Sequence, residues 1–316
     1  MRSDPDVQAA TSAASHTTIH PLSDEDAIVT AAMHALAEPY KGSLQGPAAR
    51  EPFDALMSRV AAPEGVSYEA DTVGGIAGWW CRPAGALAGA AVLHLHGGWF
   101  NWGSAQAFRH LVGHIARRAG ADAFVPDYRL APEHPFPSGL HDVRDCFEGM
   151  LARGARRIAL SGDSAGGGLA LVLLASASAG RPAPVGAAVL SPVTDLTLAG
   201  QSWDTRAAAD PYFTRSQVVQ LVRAYLGDHD PADAVASPLW GDLAGMPPIR
   251  VHVGDAEMLL DDSRRYVAKA VAAGTDARLD VWTGMPHGFP SAVGRLAAAG
   301  AALDAIGAFL RERLAA

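Results

Sequence analysis

Arg157-Ile158-Ala159-Leu160-Ser161-Gly162-Asp163-Ser164-Ala165-Gly166-Gly167-Gly168-Leu169-Ala170-Leu171 is the stretch that decides how this chain is read. It joins a short apolar strand to an apolar helix through a serine flanked by glycines. Gly162 and Gly166 lie two residues either side of Ser164, where a side chain would collide as the chain reverses direction. Such a turn is a nucleophile elbow. It holds the hydroxyl clear of the sheet, and the first N–H groups of the following helix face the charge that develops when that oxygen attacks a carbonyl. A G-x-S-x-G pattern alone occurs in many chains; the strand before it and the helix after it set this one apart.

Outward from the elbow, short apolar strands alternate with helices. Ala90 to Leu95 and Val185 to Leu190 are continuous apolar runs suited to the buried centre of a parallel sheet. Ala121 to Pro126, Ile249 to Val253 and Ala277 to Trp282 add further strands. Helical patterns run up to Arg118, from Ser138 to Arg153, from Asp261 to Ala273 and from Leu296 to Arg311. Val66 to Cys81, broken by Gly74-Gly75, reads as a hairpin and gives the sheet an antiparallel start. Asp24 to Leu36 and Glu51 to Val60 are helical patterns ahead of the first strand. Residues 195–245 interrupt the rhythm, with Trp203, Tyr212, Phe213, Tyr225 and Trp240 among charges, and predict a helical insertion over the C-terminal edge of the sheet. The fold class is therefore α/β, an open and mostly parallel central sheet flanked by helices.

The chain has 316 residues, of which 49% are hydrophobic, enough for a large core and a size that one α/β unit with an insertion commonly reaches. A formal charge of -8 argues against nucleic acid and anionic membranes as partners, because both repel an acidic surface. The two cysteines, Cys81 and Cys146, suit reduced thiols in a cytoplasmic protein better than a disulfide framework or a cysteine-based zinc site. Residues 1–20 are rich in Ala, Ser and Thr and lack an apolar signal core. They read as a disordered arm, not a targeting segment. No run of about eighteen apolar residues predicts a membrane span.

A serine nucleophile needs a base and a group that orients the base. Twelve histidines compete, and His287 stands out. It follows a strand within Gly284-Met285-Pro286-His287-Gly288-Phe289-Pro290, where turn formers hold an imidazole at the sheet edge. The plain alternative is a surface-loop histidine. The order of parts, nucleophile then acid then histidine, each just after a strand, favours the catalytic reading. For the acid, Asp255 and Glu257 both follow the strand Ile249 to Val253, and spacing alone does not separate them. Asp261 and Asp262 open a predicted helix, where carboxylates are favourable without a catalytic role. The oxyanion of acyl transfer needs at least two N–H donors. Ala165, after the nucleophile, is one, and the loop His96-Gly97-Gly98-Trp99 supplies the rest unless Gly97-Gly98 is only a tight turn.

These motifs resemble the hormone-sensitive-lipase-like family of α/β-hydrolase carboxylesterases, over nearly the whole chain. The landmarks match in order: the H-G-G loop at His96, Tyr128-Arg129-Leu130-Ala131-Pro132-Glu133, the Gly162-Asp163-Ser164-Ala165-Gly166-Gly167 elbow, and His287-Gly288-Phe289. The resemblance implies an α/β-hydrolase fold in a single domain over 21–316, capped by residues 21–63 and 195–245. It implies a Ser/acid/His triad acting on small carboxylic esters with no metal or organic cofactor. Ser164 falls on the family's nucleophile and His287 on its base. The family's acid begins a D-P-L-x-D-E segment three residues after a small residue that ends the strand. Gly254 plus three is Glu257, and Glu257-Met258-Leu259-Leu260-Asp261-Asp262 fits that segment, with Asp255 held in reserve. Glutamate departs from the usual aspartate.

A second departure is Trp99, which stands where the family has a third glycine. The expected oxyanion donors are then Gly98, Trp99 and Ala165. The Trp99 indole is expected either at a substrate pocket with Phe100 and Trp102 or packed beneath the cap. Tyr128, Arg129, Glu133 and Asp163 read as supports for the active-site loops. The expected substrate is a short-chain or aromatic ester. A lactonase, amidase or formamidase with the same triad, and a non-catalytic binding module, are the rival readings. A homodimer through an edge strand or the closing helix is compatible with the sequence.

Overall fold

A computed structural model describes residues 16–176 and 182–316. Among the described residues, nine strands form one sheet: β1 (Thr17–His20), β2 (Val66–Val73), β3 (Ile76–Pro83), β4 (Ala90–Leu95), β5 (Asp122–Pro126), β6 (Arg157–Asp163), β7 (Ala187–Leu190), β8 (Ile249–Gly254) and β9 (Ala277–Trp282). Their order across the sheet is β1-β9-β8-β7-β6-β4-β5-β3-β2. The pairs from β5 through β4, β6, β7, β8 and β9 to β1 are parallel, and β3 is antiparallel to both β2 and β5. All six residues of β4 and all four of β7 are buried. That burial on both faces is why these strands read as unbroken apolar runs.

The helices are α1 (Asp24–Ala37), α2 (Arg50–Met57), α3 (Ala105–Ala119), α4 (Ser138–Ala152), α5 (Ser164–Ala175), α6 (Ser202–Thr205), α7 (Arg215–Leu226), α8 (Leu260–Ala272) and α9 (Ala297–Ala315). Their ends follow local chemistry. The Ser104 hydroxyl accepts from Ala107 N at the start of α3, and Gly120, with φ +64°, closes it in the left-handed region. Asp127 adds a second anchor by accepting from Ala105 N at 2.6 Å, which ties the end of β5 to the same helix. α5 is buried from Ser164 to Leu174, as expected of a helix apolar on every side.

The disordered arm predicted over residues 1–20 does not extend through Thr17–His20, which form edge strand β1 in parallel register with β9. The β-branched Thr17-Thr18-Ile19 suit a strand, and His20 stacks on Trp282 at 3.8 Å and shares a 2.7 Å hydrogen bond with Asp280. The part of that expectation covering residues 1–15 lies outside the described residues.

The insertion contains α6, α7 and a single 3₁₀ turn at Pro238–Trp240, with long loops between them. Two carboxylates hold those loops, Asp262 buried and Asp261 half-buried. Asp262 Oδ2 accepts from the backbone of Thr194 and Asp195 at 2.8 and 2.9 Å, and Asp261 accepts from Ser202 N at 2.9 Å. The two acids read as helix-start residues are therefore also the anchors of the insertion. Burial pushes the Asp262 carboxyl up to about 7, against the pull of its two backbone donors. Residues 41–44 lie alongside the insertion: Lys41 Nζ donates to Ala207 O, Gly42 N to Tyr212 O, and Gln217 Nε2 to Leu44 O. α1 is placed elsewhere. Its Asp26 accepts from Ala297 N and Ala298 N at 2.8 and 2.9 Å, capping the first turn of α9.

Candidate active site

Ser164, Glu257 and His287 follow the C-terminal ends of β6, β8 and β9, three parallel strands on one side of the sheet. Ligand sites of open α/β sheets lie outside that edge. Ser164 sits at φ +53°, a left-handed conformation that costs a non-glycine residue about 1–3 kcal/mol and is kept only where the surroundings enforce it. They do so here. A Cβ at Gly166 would run into the carbonyls of Leu95 and His96, and one at Gly162 into the Gly166 carbonyl. The tight approach of strand to helix thus forces the reversal at the serine.

His287 Nδ1 and Glu257 Oε1 are 3.2 Å apart. The carboxylate takes the Nδ1–H, which fixes the tautomer and leaves Nε2 as the nitrogen available to a serine proton. Glu257 is fully buried and the His287 side chain is 11% exposed. Burial opposes the charged imidazolium, but the Glu257 carboxylate outweighs it, aided by Asp210 and Asp163, and the His287 pKa lies above the ordinary histidine value. Asp255 has a different partner: its Oδ1 accepts from Gly284 N at 2.6 Å, pinning the loop after β9 to the loop after β8. The geometry brings Glu257, not Asp255, to the imidazole.

Two supporting residues escaped the sequence reading. Ser191, at the end of β7, is buried with φ +44° and donates its hydroxyl to Glu257 Oε2 at 2.8 Å. Gly254 N supports the same oxygen from 3.3 Å. Asp210, from the insertion, accepts from Tyr212 N, Phe213 N and Met258 N at 2.9–3.1 Å. It fastens the turn carrying Phe213 to the residue after Glu257. The Phe213 ring then stands edge-on to His287, 5.5 Å between centroids. No local motif marks the reach of either residue to the site, since Ser191 meets Glu257 from 66 positions away and Asp210 meets Met258 from 48. Replacing Ser191 by alanine leaves a buried carboxylate oxygen with only the longer backbone contact. The expected result is about a tenfold lower kcat at nearly unchanged KM, measured by steady-state hydrolysis of an activated ester.

The loop after β4 faces the elbow. Gly97 N donates to Asp163 Oδ1 at 3.1 Å, so this N–H is already spent. Tyr128 stacks on the His96 ring at 4.3 Å and donates its hydroxyl to His96 O at 2.7 Å. Arg129 holds Asp142 through two nitrogens, and Glu133 pairs with Arg50. Tyr128 and Asp163 thus touch the loop after β4 directly and Glu133 reaches it through Arg50, whereas Arg129 ties its own segment to α4. Asn101 N and Trp102 N both donate to Gly98 O, at 3.0 and 2.9 Å, closing a turn that points the Trp99 N–H the opposite way. Among the described residues, the N–H groups of Gly98, Trp99 and Ala165 are not used in any turn or loop hydrogen bond.

The three aromatic residues of this loop separate. Phe100 stacks on Tyr225 of α7 at 3.9 Å, and Trp102 donates Nε1 to Gly46 O and packs on Phe53. Neither joins Trp99, contrary to one of the two sequence expectations. Trp99 is fully buried against Trp203 and Phe213, at 6.1 and 5.8 Å. It is therefore packed under the insertion, in the same aromatic wall that reaches His287. Among the described residues, no group of three or more His, Cys, Asp and Glu is arranged to hold a metal ion.

A sequence model described as alpha/beta hydrolase fold matches residues 92–291, from β4 through the His287 loop. The chain belongs to the α/β-hydrolase family. Within it, the hormone-sensitive-lipase-like esterases are its relatives. A crystal structure of an esterase from the bacterial hormone-sensitive lipase family superposes with a TM-score of 0.86 at 36% identity, covering 93% of this chain and all of that one. An acetyl-hydrolase of Streptomyces hygroscopicus is 38% identical over 76% of this chain and 81% of its own length. An esterase of Acinetobacter venetianus is 37% identical over 65% and 69%. With a serine at the elbow, this α/β-hydrolase is a serine hydrolase of carboxylic esters.

Proposed function

We propose that Ser164, Glu257 and His287 form the catalytic triad of a carboxylesterase, with Gly98, Trp99 and Ala165 as the oxyanion donors. The single observation that carries this reading is the Glu257–His287 contact at the ends of β8 and β9, on the same sheet edge as the strained Ser164 at the end of β6. His287 takes the proton from Ser164 as its oxygen attacks the ester carbonyl. The resulting oxyanion is held by the three N–H groups, and His287 then delivers the proton to the departing alcohol. A water molecule, deprotonated by the same imidazole, attacks the acyl-enzyme and releases the acid.

The cap over the site is the insertion at 195–245, with residues 41–44 of the 21–63 segment beside it. Phe213 of the insertion stands edge-on to His287, with Trp99 and Trp203 buried against one another and Trp99 against Phe213; this aromatic wall and the acetyl-hydrolase relative support short-chain or aromatic acyl esters. A cytoplasmic setting belongs to the same proposal, in keeping with Cys81 and Cys146 as free, buried thiols that burial pushes up to about 12. So does an edge-strand homodimer, for which the exposed Ile19 of β1 offers an apolar contact. Among the described residues no helix is long and apolar enough to cross a membrane.

Matched substrates test the reading. With an acetate ester, a butyrate ester, a six-membered lactone and an anilide compared at one pH, the acetate and butyrate are expected to have the highest kcat/KM. A lactone or anilide preferred by about three orders of magnitude, roughly 4 kcal/mol of transition-state binding, contradicts it.

A further inference from the structure

We infer that Asn101 is a positioning residue for acyl transfer: its side chain locks the peptide planes around Trp99 and fastens the oxyanion loop to helix α7. The inference rests on the proposed role of the Trp99 N–H as an oxyanion donor.

Trp99 and Phe100 lie at φ +52° and +61°, two consecutive non-glycine residues in a region that glycine normally fills. A bulky side chain there raises the backbone energy, and the loop keeps this shape only if other groups enforce it. Both peptide planes flanking Trp99 are held from position 101. The Asn101 backbone N–H grips Gly98 O, in the same peptide unit as the Trp99 N–H. The Asn101 side-chain nitrogen grips the next carbonyl, Trp99 O, at 2.6 Å. That same nitrogen donates to Leu221 O in α7 at 3.2 Å. Since both acceptors are carbonyls, the NH2 end of the carboxamide must be the one facing them.

Other contacts fix Asn101 itself. Its own carbonyl accepts from Arg50 Nε at 2.9 Å, while Arg50 Nη2 reaches Ala131 O at 2.9 Å. The residue is 1% exposed, so its two donated bonds do not compete with bulk water. The oxyanion loop is thus gripped from α7 on one side and from Arg50, at the start of α2, on the other. Where the family pattern puts a conformationally free third glycine, this chain has a tryptophan and restrains it through Asn101.

The test uses Asn101→Ala, with Asn101→Ser as the fallback if alanine does not fold. The backbone grip on Gly98 O survives in both, so only the side-chain restraint is removed. Two readouts are taken: steady-state kinetics on an acetate ester, and inhibition by an aryl trifluoromethyl ketone, whose adduct with a serine places an oxyanion in the hole. Expected is a fall in kcat of about 10- to 100-fold at a KM within about twofold, since misplacement by about 1 Å costs up to 10²-fold. The ketone Ki is expected to rise by the same factor as kcat/KM falls. A variant within twofold of wild type, or a loss carried by KM with the ketone Ki unchanged, overturns the inference while the triad stands. Failure of the ketone to inhibit the wild-type enzyme overturns the oxyanion assignment beneath it.

Discussion

Replacing Ser164 by alanine is expected to lower kcat on a simple ester by roughly 10⁵-fold or more, with the protein still folded. The loss is large because members of a triad act as one unit: without the hydroxyl, the imidazole has no nucleophile to activate, and only the oxyanion donors and binding contribute. The fold should tolerate the change. Alanine occupies the same φ +53° position with the same Cβ, and α5 remains packed from Ala165 onward. A melting temperature close to wild type, together with abolished turnover, is the expected pair of results. Turnover within about tenfold of wild type would require a different nucleophile.

The second large effect separates the two acids that the sequence left side by side. Glu257→Ala is expected to lower kcat by about 10⁴-fold, the size of loss seen when the group that orients a catalytic histidine is removed. Asp255→Ala removes the 2.6 Å anchor of Gly284 N, which loosens the histidine loop without touching the ring, and should stay within about tenfold. The pH profile gives an independent check. In the proposed mechanism activity requires neutral His287, so kcat/KM is expected to rise as pH climbs through the pKa of that imidazole. The Glu257 carboxylate, working against burial, is the main cause that holds this pKa above the ordinary histidine value. Glu257→Gln removes the charge and keeps the shape, so its residual activity should switch on at a lower pH than wild type. A rise at the same pH in both proteins would mean that another group titrates there.

Legibility of the site in the sequence followed the range of the interactions. Ser164 and His287 were visible because each depends on its immediate neighbours: glycines that permit a reversal, and turn formers that follow a strand. The alternating parallel strands were visible for the same reason, since burial on both faces writes an unbroken apolar run. Glu257 is reached only through the family pattern; in the structure it is the acid that contacts His287, while Asp255 binds Gly284 N. Ser191, Asp210 and Asn101 carried no signal. A serine that steadies a carboxylate 66 residues away looks like any serine after a strand. The insertion read as more helical than it is, because loops pinned by Asp195, Asp210 and Asp262 have the same mixture of aromatic and charged residues as a surface helix. β1 was missed because a four-residue edge strand is too short for a pattern.

The most direct test of the account is covalent: reaction of the wild-type enzyme with a fluorophosphonate, followed by mass mapping of the labelled peptide. The adduct is predicted on Ser164, at full stoichiometry and with loss of esterase activity in step with labelling. Modification of any other residue, or retained activity in fully labelled protein, would contradict the claim that this elbow serine, served by His287 and Glu257, performs the chemistry.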